Sequence, residues 1–276
     1  MISVFDVIEY EGKDKKYREG KMRKPFMAGN WKMNGSLQQV SEFIEGFIVS
    51  EETAKEREVI ICAPFTLIPA CVAKGAEKKP YMKFGAQNVH WEPKGAFTGE
   101  VSVGMLKESG CYCCIIGHSE RRQYNKETDE MINKKMNALL DGGVLPIVCV
   151  GETLEEREAG RTEEVVSTQV RGSIVASVGA KDLSGIVIAY EPVWAIGTGK
   201  TATPEQAEEV CGMIRTLVAK EIGGAIADGM RILYGGSMNA ANVDVLMAQP
   251  DIDGGLVGGA SLKAPDFSRI AEYIKQ

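Results

Sequence analysis

Short apolar runs alternate with amphipathic stretches along the chain from Pro25 onward. The runs are apolar at most positions, as strands buried on both faces of a parallel sheet are. We predict eight strands from them: Phe26–Trp31, Val59–Ala63, Lys83–Val89, Tyr112–Gly117, Leu145–Val150, Gly185–Glu191, Arg231–Gly235 and Ile252–Val257. Eight strands separated by helical patterns, at a spacing of roughly 30 residues, predict a single (β/α)8 barrel, an α/β fold.

The helix predicted after the sixth strand illustrates the amphipathic stretches. Thr203 is a favourable N-cap, Pro204 suits the first helical position, and Gln206 completes a capping box. Apolar residues at helical spacing then form one stripe that can pack on the sheet: Ala207, Val210, Cys211, Ile214, Leu217 and Val218. Gly223 and Gly224 follow and predict the end of the helix.

The competing architecture is a doubly wound open sheet, which would place a Gly-x-Gly-x-x-Gly turn after an early strand. The first predicted strand instead runs into the sequence NWKMNG at residues 30–35. Residues 195–201 resemble a nucleotide P-loop, but the position that must be glycine is Trp194. Small residues between stiffer ends favour a mobile lid for this segment.

The first 21 residues lie outside the barrel pattern. They lack the basic start and long apolar centre of a signal peptide, and residues 11–21 form a charged run interrupted by glycine. We interpret residues 1–21 as a dispensable leader and residues 22–276 as the barrel domain.

Charge and cysteine content narrow the classes of partner. The 276 residues carry a net charge of −6 without a basic stripe, so we do not expect a nucleic-acid partner. No apolar run reaches membrane-spanning length. The seven cysteines are interpreted as reduced core thiols, which predicts a cytoplasmic location. We reject a zinc site at residues 111–114, because adjacent cysteines on a strand point to opposite faces.

Two glycine pairs follow neighbouring strands at the end of the barrel where active residues gather. Gly235 and Gly236 precede Ser237 after the seventh strand, and Gly258 and Gly259 follow the eighth. Glycine lets backbone N–H groups approach an anion closely, and Ser237 adds a hydroxyl donor. The pattern favours a phosphate site, with two ordinary turns as the alternative.

Three side chains with acid–base or charge-stabilising potential end other strands. Glu191 closes the sixth strand, where burial can raise its pKa and suit it to general-base work; a solvated glutamate is the alternative. His118 precedes a predicted helix start, which favours a neutral imidazole able to donate to a carbonyl; a structural histidine is the alternative. Lys32 offers an ammonium to a substrate oxygen or forms a surface ion pair.

Four segments resemble the triosephosphate isomerase family: GNWKMN at residues 29–34, GHSERR at 117–122, AYEPVWAIGTG at 189–199 and YGGS at 234–237. The likeness runs from about residue 22 to the C-terminus, and the third segment is specific by itself. It implies a TIM-barrel isomerase of glycolysis and gluconeogenesis that interconverts dihydroxyacetone phosphate and D-glyceraldehyde 3-phosphate through an enediolate, without metal or cofactor.

The resemblance also implies roles for individual residues. Glu191 would carry the proton between the two carbons, and neutral His118 would polarise the carbonyl. Lys32 and Asn30 would hold the substrate and the enediolate oxygens. The phosphate would be bound by residues of the lid and the glycine turns: Gly197, Ser237, Gly258 and Gly259. Two apolar residues would close over the base and raise its basicity: Ile196 and Leu256.

Members of this family form homodimers through a loop after the third strand. Residues 95–100 match that loop, so the resemblance implies that Thr98 packs near the partner subunit's Lys32. Two rival functions stay open at this point. One is a phosphosugar lyase that uses Lys32 as a Schiff-base amine, and the other is a barrel that binds phosphorylated ligands without catalysis.

Overall fold

A computed structural model of the chain describes residues 23–196 and 201–274, so the predicted leader lies outside the described residues. Eight parallel strands close into a barrel in sequence order, with β1 paired to both β2 and β8. The strands are β1 Phe26–Asn30, β2 Glu58–Cys62, β3 Met82–Ala86, β4 Cys113–Ile116, β5 Leu145–Val150, β6 Val187–Tyr190, β7 Arg231–Tyr234 and β8 Gly254–Val257. The predicted (β/α)8 barrel is therefore confirmed.

Helices occupy the connections between the strands. Their bounds are α1 Leu37–Gly46, α2 Glu51–Glu56, α3 Ile68–Lys78, α4 Val103–Glu108, α5 Ser119–Asn125, α6 Asp129–Gly142, α7 Leu154–Glu158, α8 Thr162–Ser173, α9 Pro204–Glu221, α10 Gly224–Gly229, α11 Val243–Met247 and α12 Ala264–Ala271. Short 3-10 turns lie at Phe65–Leu67, Val175–Ser177, Val193–Ala195 and Gly259–Leu262. In the described part of the chain, no helix combines the length and apolarity needed to cross a membrane.

The predicted strands overlap the observed ones, and several extend too far. Strand β5 has the predicted bounds, whereas β3 ends at Ala86 and leaves Gln87 and Asn88 in the following loop. Strand β1 ends at Asn30 because Lys32 adopts a left-handed backbone conformation, with φ of 52°. Apolar patterning cannot detect these ends, since they are set by turns and tertiary hydrogen bonds.

The helix after β6 begins as its sequence predicts. The hydroxyl of Thr203 accepts the backbone N–H of Gln206 at 3.2 Å, and the Gln206 side chain accepts the N–H of Thr203 at 3.0 Å. All six residues of the predicted apolar stripe are buried. The helix ends at Glu221, and Gly223 follows with φ of 134°, but Gly224 begins the short helix α10.

The core has two layers separated by the sheet. The barrel interior is filled by alternate strand residues: Phe26, Ala28, Ile60, Cys62, Cys113, Ile115, Ile147, Cys149, Val187, Ala189, Leu233 and Leu256. A larger cluster lies between the sheet and the helices. Cys113 belongs to the interior and Cys114 to the outer cluster, so the two adjacent cysteines do point to opposite faces of β4.

Candidate active site

Strand alternation brings two of the predicted site residues to the mouth of the barrel. Phe26 and Ala28 point into the interior from β1, and Asn30 is next in the same alternation. Val187 and Ala189 do the same on β6, and Glu191 follows at the next alternate position. Both polar side chains are nevertheless buried, Glu191 to 2% exposure, so a hydrogen-bonding partner is needed for each.

His118 reaches the same cavity by a different route. Gly117 follows β4 with φ of 69°, a left-handed conformation that glycine adopts without steric cost, and it turns the chain away from the strand direction. His118 is the N-cap of α5, and its Nδ1 accepts the backbone N–H of Glu120 at 3.2 Å. Because Nδ1 accepts this hydrogen, the ring proton lies on Nε2.

Glu191 is bound by two donors from the β4 connection. His118 Nε2 lies 2.9 Å from Glu191 Oε1, and the backbone N–H of Ser119 donates to Glu191 Oε2 at 3.0 Å. Both carboxylate oxygens therefore have partners despite their burial. The contact between Glu191 and His118 joins the predicted base to the predicted electrophile.

These contacts determine the direction of both pKa shifts. Burial raises the pKa of Glu191, but His118, the Ser119 N–H and Lys32 together outweigh burial and hold the pKa below its ordinary value. Burial lowers the pKa of His118, but the carboxylates of Glu191 and, to a smaller extent, Glu120 outweigh it, and the net shift is upward. The lowered pKa of Glu191 is opposite in direction to the shift that burial alone predicts, because its donors outweigh burial. The acceptor role of His118 Nδ1 agrees with the neutral imidazole that the sequence predicts, although the carboxylate beside the ring shifts its pKa upward.

Lys32 occupies an uncommon backbone conformation for a residue with a side chain. Its φ of 52° costs roughly 1–3 kcal/mol in the absence of compensating contacts. Its N–H donates to Asn30 Oδ1 at 3.0 Å, and its Nζ lies 2.5 Å from Glu120 Oε1. The ammonium is thus held at the cavity by a carboxylate that follows His118 in the sequence.

A cavity of about 400 Å³ joins these side chains to both glycine turns. The predicted site residues that line it are Asn30, Lys32, His118, Glu191, Ser237, Gly258 and Gly259. Ile196 and Leu256, the two predicted apolar cage residues, line it as well. Gly197, predicted to bind phosphate from the lid, lies outside the described residues.

Gly235 makes the closest approach to Glu191. A Cβ added at Gly235 would lie 2.8 Å from Glu191 Cγ and 3.1 Å from the Tyr190 carbonyl oxygen. Both distances are shorter than ordinary van der Waals contact. A residue without a side chain is therefore required beside the carboxylate, independently of any bound phosphate.

A buried carboxylate anchors the segment that leads into residues 197–200. Glu152 Oε1 accepts from Tyr190 Oη at 3.1 Å, from Trp194 Nε1 at 2.9 Å and from Arg157 Nη1 at 3.2 Å. The guanidinium of Arg157 also lies over the Trp194 ring, 4.9 Å from its centroid. Sequence patterning had assigned no role to Glu152, because its partners come from three different elements.

A model of the triosephosphate isomerase family matches residues 25–274, nearly the whole described chain. The chain belongs to the triosephosphate isomerase family. The triosephosphate isomerase of Acetivibrio thermocellus is 52% identical over 253 residues, which cover 92% of this chain and 99% of that protein. Those of Herpetosiphon aurantiacus and Trichlorobacter lovleyi are each 51% identical, and the alignments cover 91% of this chain and 100% and 99% of those proteins.

The triosephosphate isomerase motifs of the sequence thus come from four strand ends of one barrel mouth. Three further residues contact the predicted set: Ser119 binds Glu191, Glu120 binds Lys32, and Gln87 binds the main chain at Lys32. The sequence places Glu120 and Gln87 near strand ends, which predicts that they lie at the barrel mouth but does not identify the groups they bind. Their partners become apparent in the folded barrel.

Proposed function

We propose that this member of the triosephosphate isomerase family interconverts dihydroxyacetone phosphate and D-glyceraldehyde 3-phosphate through an enediolate, with Glu191 as the base. The observation that carries the proposal is the 2.9 Å contact between Glu191 Oε1 and His118 Nε2 at a cavity that also holds Lys32. A carboxylate, an imidazole donor and an ammonium meet the needs of proton transfer beside a carbonyl.

In the proposed reaction, one Glu191 oxygen takes a proton from C1 of dihydroxyacetone phosphate, and the electron pair of that C–H bond forms the C1–C2 double bond. The carbonyl oxygen at C2 becomes an oxyanion, which His118 Nε2–H and the Lys32 ammonium stabilise. His118 relays a proton between the two oxygens, and protonated Glu191 returns a proton to C2. The aldehyde product results without net gain or loss of electrons.

We assign the phosphate to the part of the cavity between the two glycine turns. Ser237 supplies a hydroxyl there, and Gly258 and Gly259 supply backbone N–H groups without a side chain in the way. A Cβ added at Gly258 would lie 3.9 Å from Lys32 Cε, so the lysine side chain runs beside this turn. Gly197 is proposed as a further phosphate ligand from the lid. Asn30 is proposed to hold the substrate beside Lys32.

The two rival functions have weaker support. A Schiff-base lyase needs Lys32 as a free amine, whereas its Nζ is ion-paired with Glu120. A lyase mechanism also assigns no role to the hydrogen-bonded pair Glu191 and His118. A barrel that only binds phosphorylated ligands predicts tight binding of a planar enediolate mimic with no turnover in a coupled isomerase assay.

The variant Glu191→Asp tests the proposed base. Removal of one methylene withdraws the carboxylate by about 1 Å, and a displacement of that size costs on the order of a hundredfold or more in turnover. The coupled assay measures kcat in both directions. Glu209→Asp, the same change on the exposed face of α9, is the matched control and should keep full activity. Wild-type turnover in Glu191→Asp would refute the assignment.

We also propose a homodimer in which residues 95–100 of one subunit enter a second cavity of the other. This second cavity, about 360 Å³, adjoins Lys32 and is lined by Phe65 and Tyr124 among others. Met33 at its rim is 95% exposed and Phe97 on the loop is 43% exposed, so the proposed contact would bury apolar surface of both subunits. Thr98 is exposed on the same loop and is proposed to pack near the partner subunit's Lys32.

Deletion of residues 95–100 should therefore leave weakly active monomers. Sedimentation velocity measures the state of assembly, and a dilution series measures activity per protomer. We expect wild-type activity per protomer to fall on dilution and that of the deletion variant to stay low and constant. A dimer in the deletion variant would contradict the proposed interface.

The seven buried free thiols support the cytoplasmic location that we propose.

A further inference from the structure

The turn that carries Lys32 is held by three side-chain amides. Asn30 Oδ1 accepts the N–H of Lys32 at 3.0 Å, and Asn34 Nδ2 donates to the Trp31 carbonyl at 2.8 Å. Gln87 Nε2 donates to the Lys32 carbonyl at 3.0 Å. A left-handed conformation is disfavoured for lysine, so these contacts select the conformation that Lys32 adopts.

Gln87 differs from the two asparagines because it comes from another strand end. Its amide nitrogen donates both hydrogens to backbone carbonyl oxygens, one to that of Lys32 and one to that of Cys62 at 2.9 Å. Cys62 is the last residue of β2, and its carbonyl also accepts the N–H of Trp31 at 3.0 Å. The side chain of Gln87 therefore ties the Lys32 turn to the ends of β2 and β3.

We propose that Gln87 is a positioning residue, which fixes the main chain at Lys32 so that the ammonium stays at the substrate cavity. The inference rests on the proposed role of Lys32 in that cavity. Gln87 lines the adjoining second cavity, not the substrate cavity, and both of its amide hydrogens bind main-chain carbonyls, so we assign its effect on the reaction to Lys32. Without the two amide hydrogen bonds, the Lys32 turn is free to leave the left-handed region, and Nζ moves with it.

The variant Gln87→Met keeps the length of the side chain and removes both donated hydrogens. We expect kcat/KM to fall on the order of tenfold, as a displacement of Nζ by several tenths of an ångström predicts. The dissociation constant of a phosphorylated hydroxamate, a planar anionic mimic of the enediolate, should rise by a similar factor. In a crystal structure of the variant, φ of residue 32 should leave the left-handed region.

A double-mutant cycle separates positioning from general stabilisation. The dissociation constant of the hydroxamate is measured by calorimetry for wild type, Gln87→Met, Lys32→Met and the double variant. If Gln87 acts through Lys32, Gln87→Met weakens binding in the wild-type background and has no further effect when Lys32 is already replaced. Losses that multiply in the double variant would overturn the proposal, as would a variant with lower thermal stability but wild-type affinity.

Two further variants and the parent activity complete the test. Gln249→Met removes another glutamine amide that donates to a backbone carbonyl, that of Val245 at 3.3 Å, and should leave hydroxamate affinity unchanged. If Gln87→Met fails to fold, Gln87→Glu replaces the donor by an acceptor and should lose at least as much affinity. Absence of isomerase activity in the wild-type protein would refute the proposed function, and the binding cycle would still report on Lys32.

Discussion

Substitution of Gly235 by alanine should displace Glu191, the proposed base, while the carboxylate itself is kept. The added Cβ would lie 2.8 Å from Glu191 Cγ, whereas ordinary contacts begin at 3.4 Å, so the carboxylate side chain must retreat by roughly 0.6 Å. Glu191 is 2% exposed and bound to Ser119 and His118, so a shift of that size distorts both contacts. If a misplacement of about 1 Å costs a hundredfold, this one costs on the order of tenfold in kcat.

The coupled assay measures kcat and KM of Gly235→Ala, and thermal unfolding checks that the variant is folded. Gly185→Ala is the matched control, because an added Cβ there has no neighbour within 4 Å and the residue lies at the opposite end of β6. A kcat within twofold of wild type, with Glu191 still in place in a crystal structure of the variant, would refute the steric reasoning. It would mean that β7 gives way instead of the carboxylate.

Two further predictions concern stability. Burial and the Asp251 carboxylate raise the pKa of Glu208 to about 7, so the folded state loses stability as pH rises from about 4.5 to 7. Glu208→Gln should therefore raise Tm by a few degrees at pH 8, a gain of under about 1 kcal/mol after solvent screening, and leave Tm unchanged near pH 4. Equal Tm values of variant and wild type at pH 8 would contradict the shift. Thr203→Ala removes the N-cap of α9 and should cost about 1 kcal/mol, which thermal unfolding would detect as a Tm lower by about 2–4 °C.

Local interactions explain which elements the sequence predicts well. The start of α9 depends on a hydroxyl and an amide three residues apart, so Thr203 and Gln206 predict it from the sequence alone. The buried stripe of the same helix follows from its 3.6-residue period. Strand ends depend on distant partners: β1 stops because Lys32 turns, and the contacts that hold this turn come partly from Gln87, more than fifty residues away.

The site could be predicted in part for the same reason. Asn30 and Glu191 follow the interior alternation of β1 and β6, which is visible in the sequence, so their meeting at the barrel mouth was predictable. The direction of the Glu191 pKa shift could not be predicted from the sequence. Burial and hydrogen bonding oppose each other, and the donors come from His118 and Ser119 on another connection. Gln87 lies within the third predicted strand but receives no role from the sequence, because no pattern identifies the partner of its amide.

The contact between Glu191 and His118 gives the proposed reaction its order of events. A carboxylate bound to two donors, with its pKa lowered, is a poor base, so Glu191 must leave Ser119 and His118 before it takes a proton from carbon. The same movement removes the Glu191 carboxylate, which raises the pKa of His118. Burial and Lys32, which lower that pKa, then remain, opposed by the Glu120 carboxylate, which raises it. One displacement of Glu191 therefore makes the base stronger and favours the neutral imidazole that donates to a carbonyl.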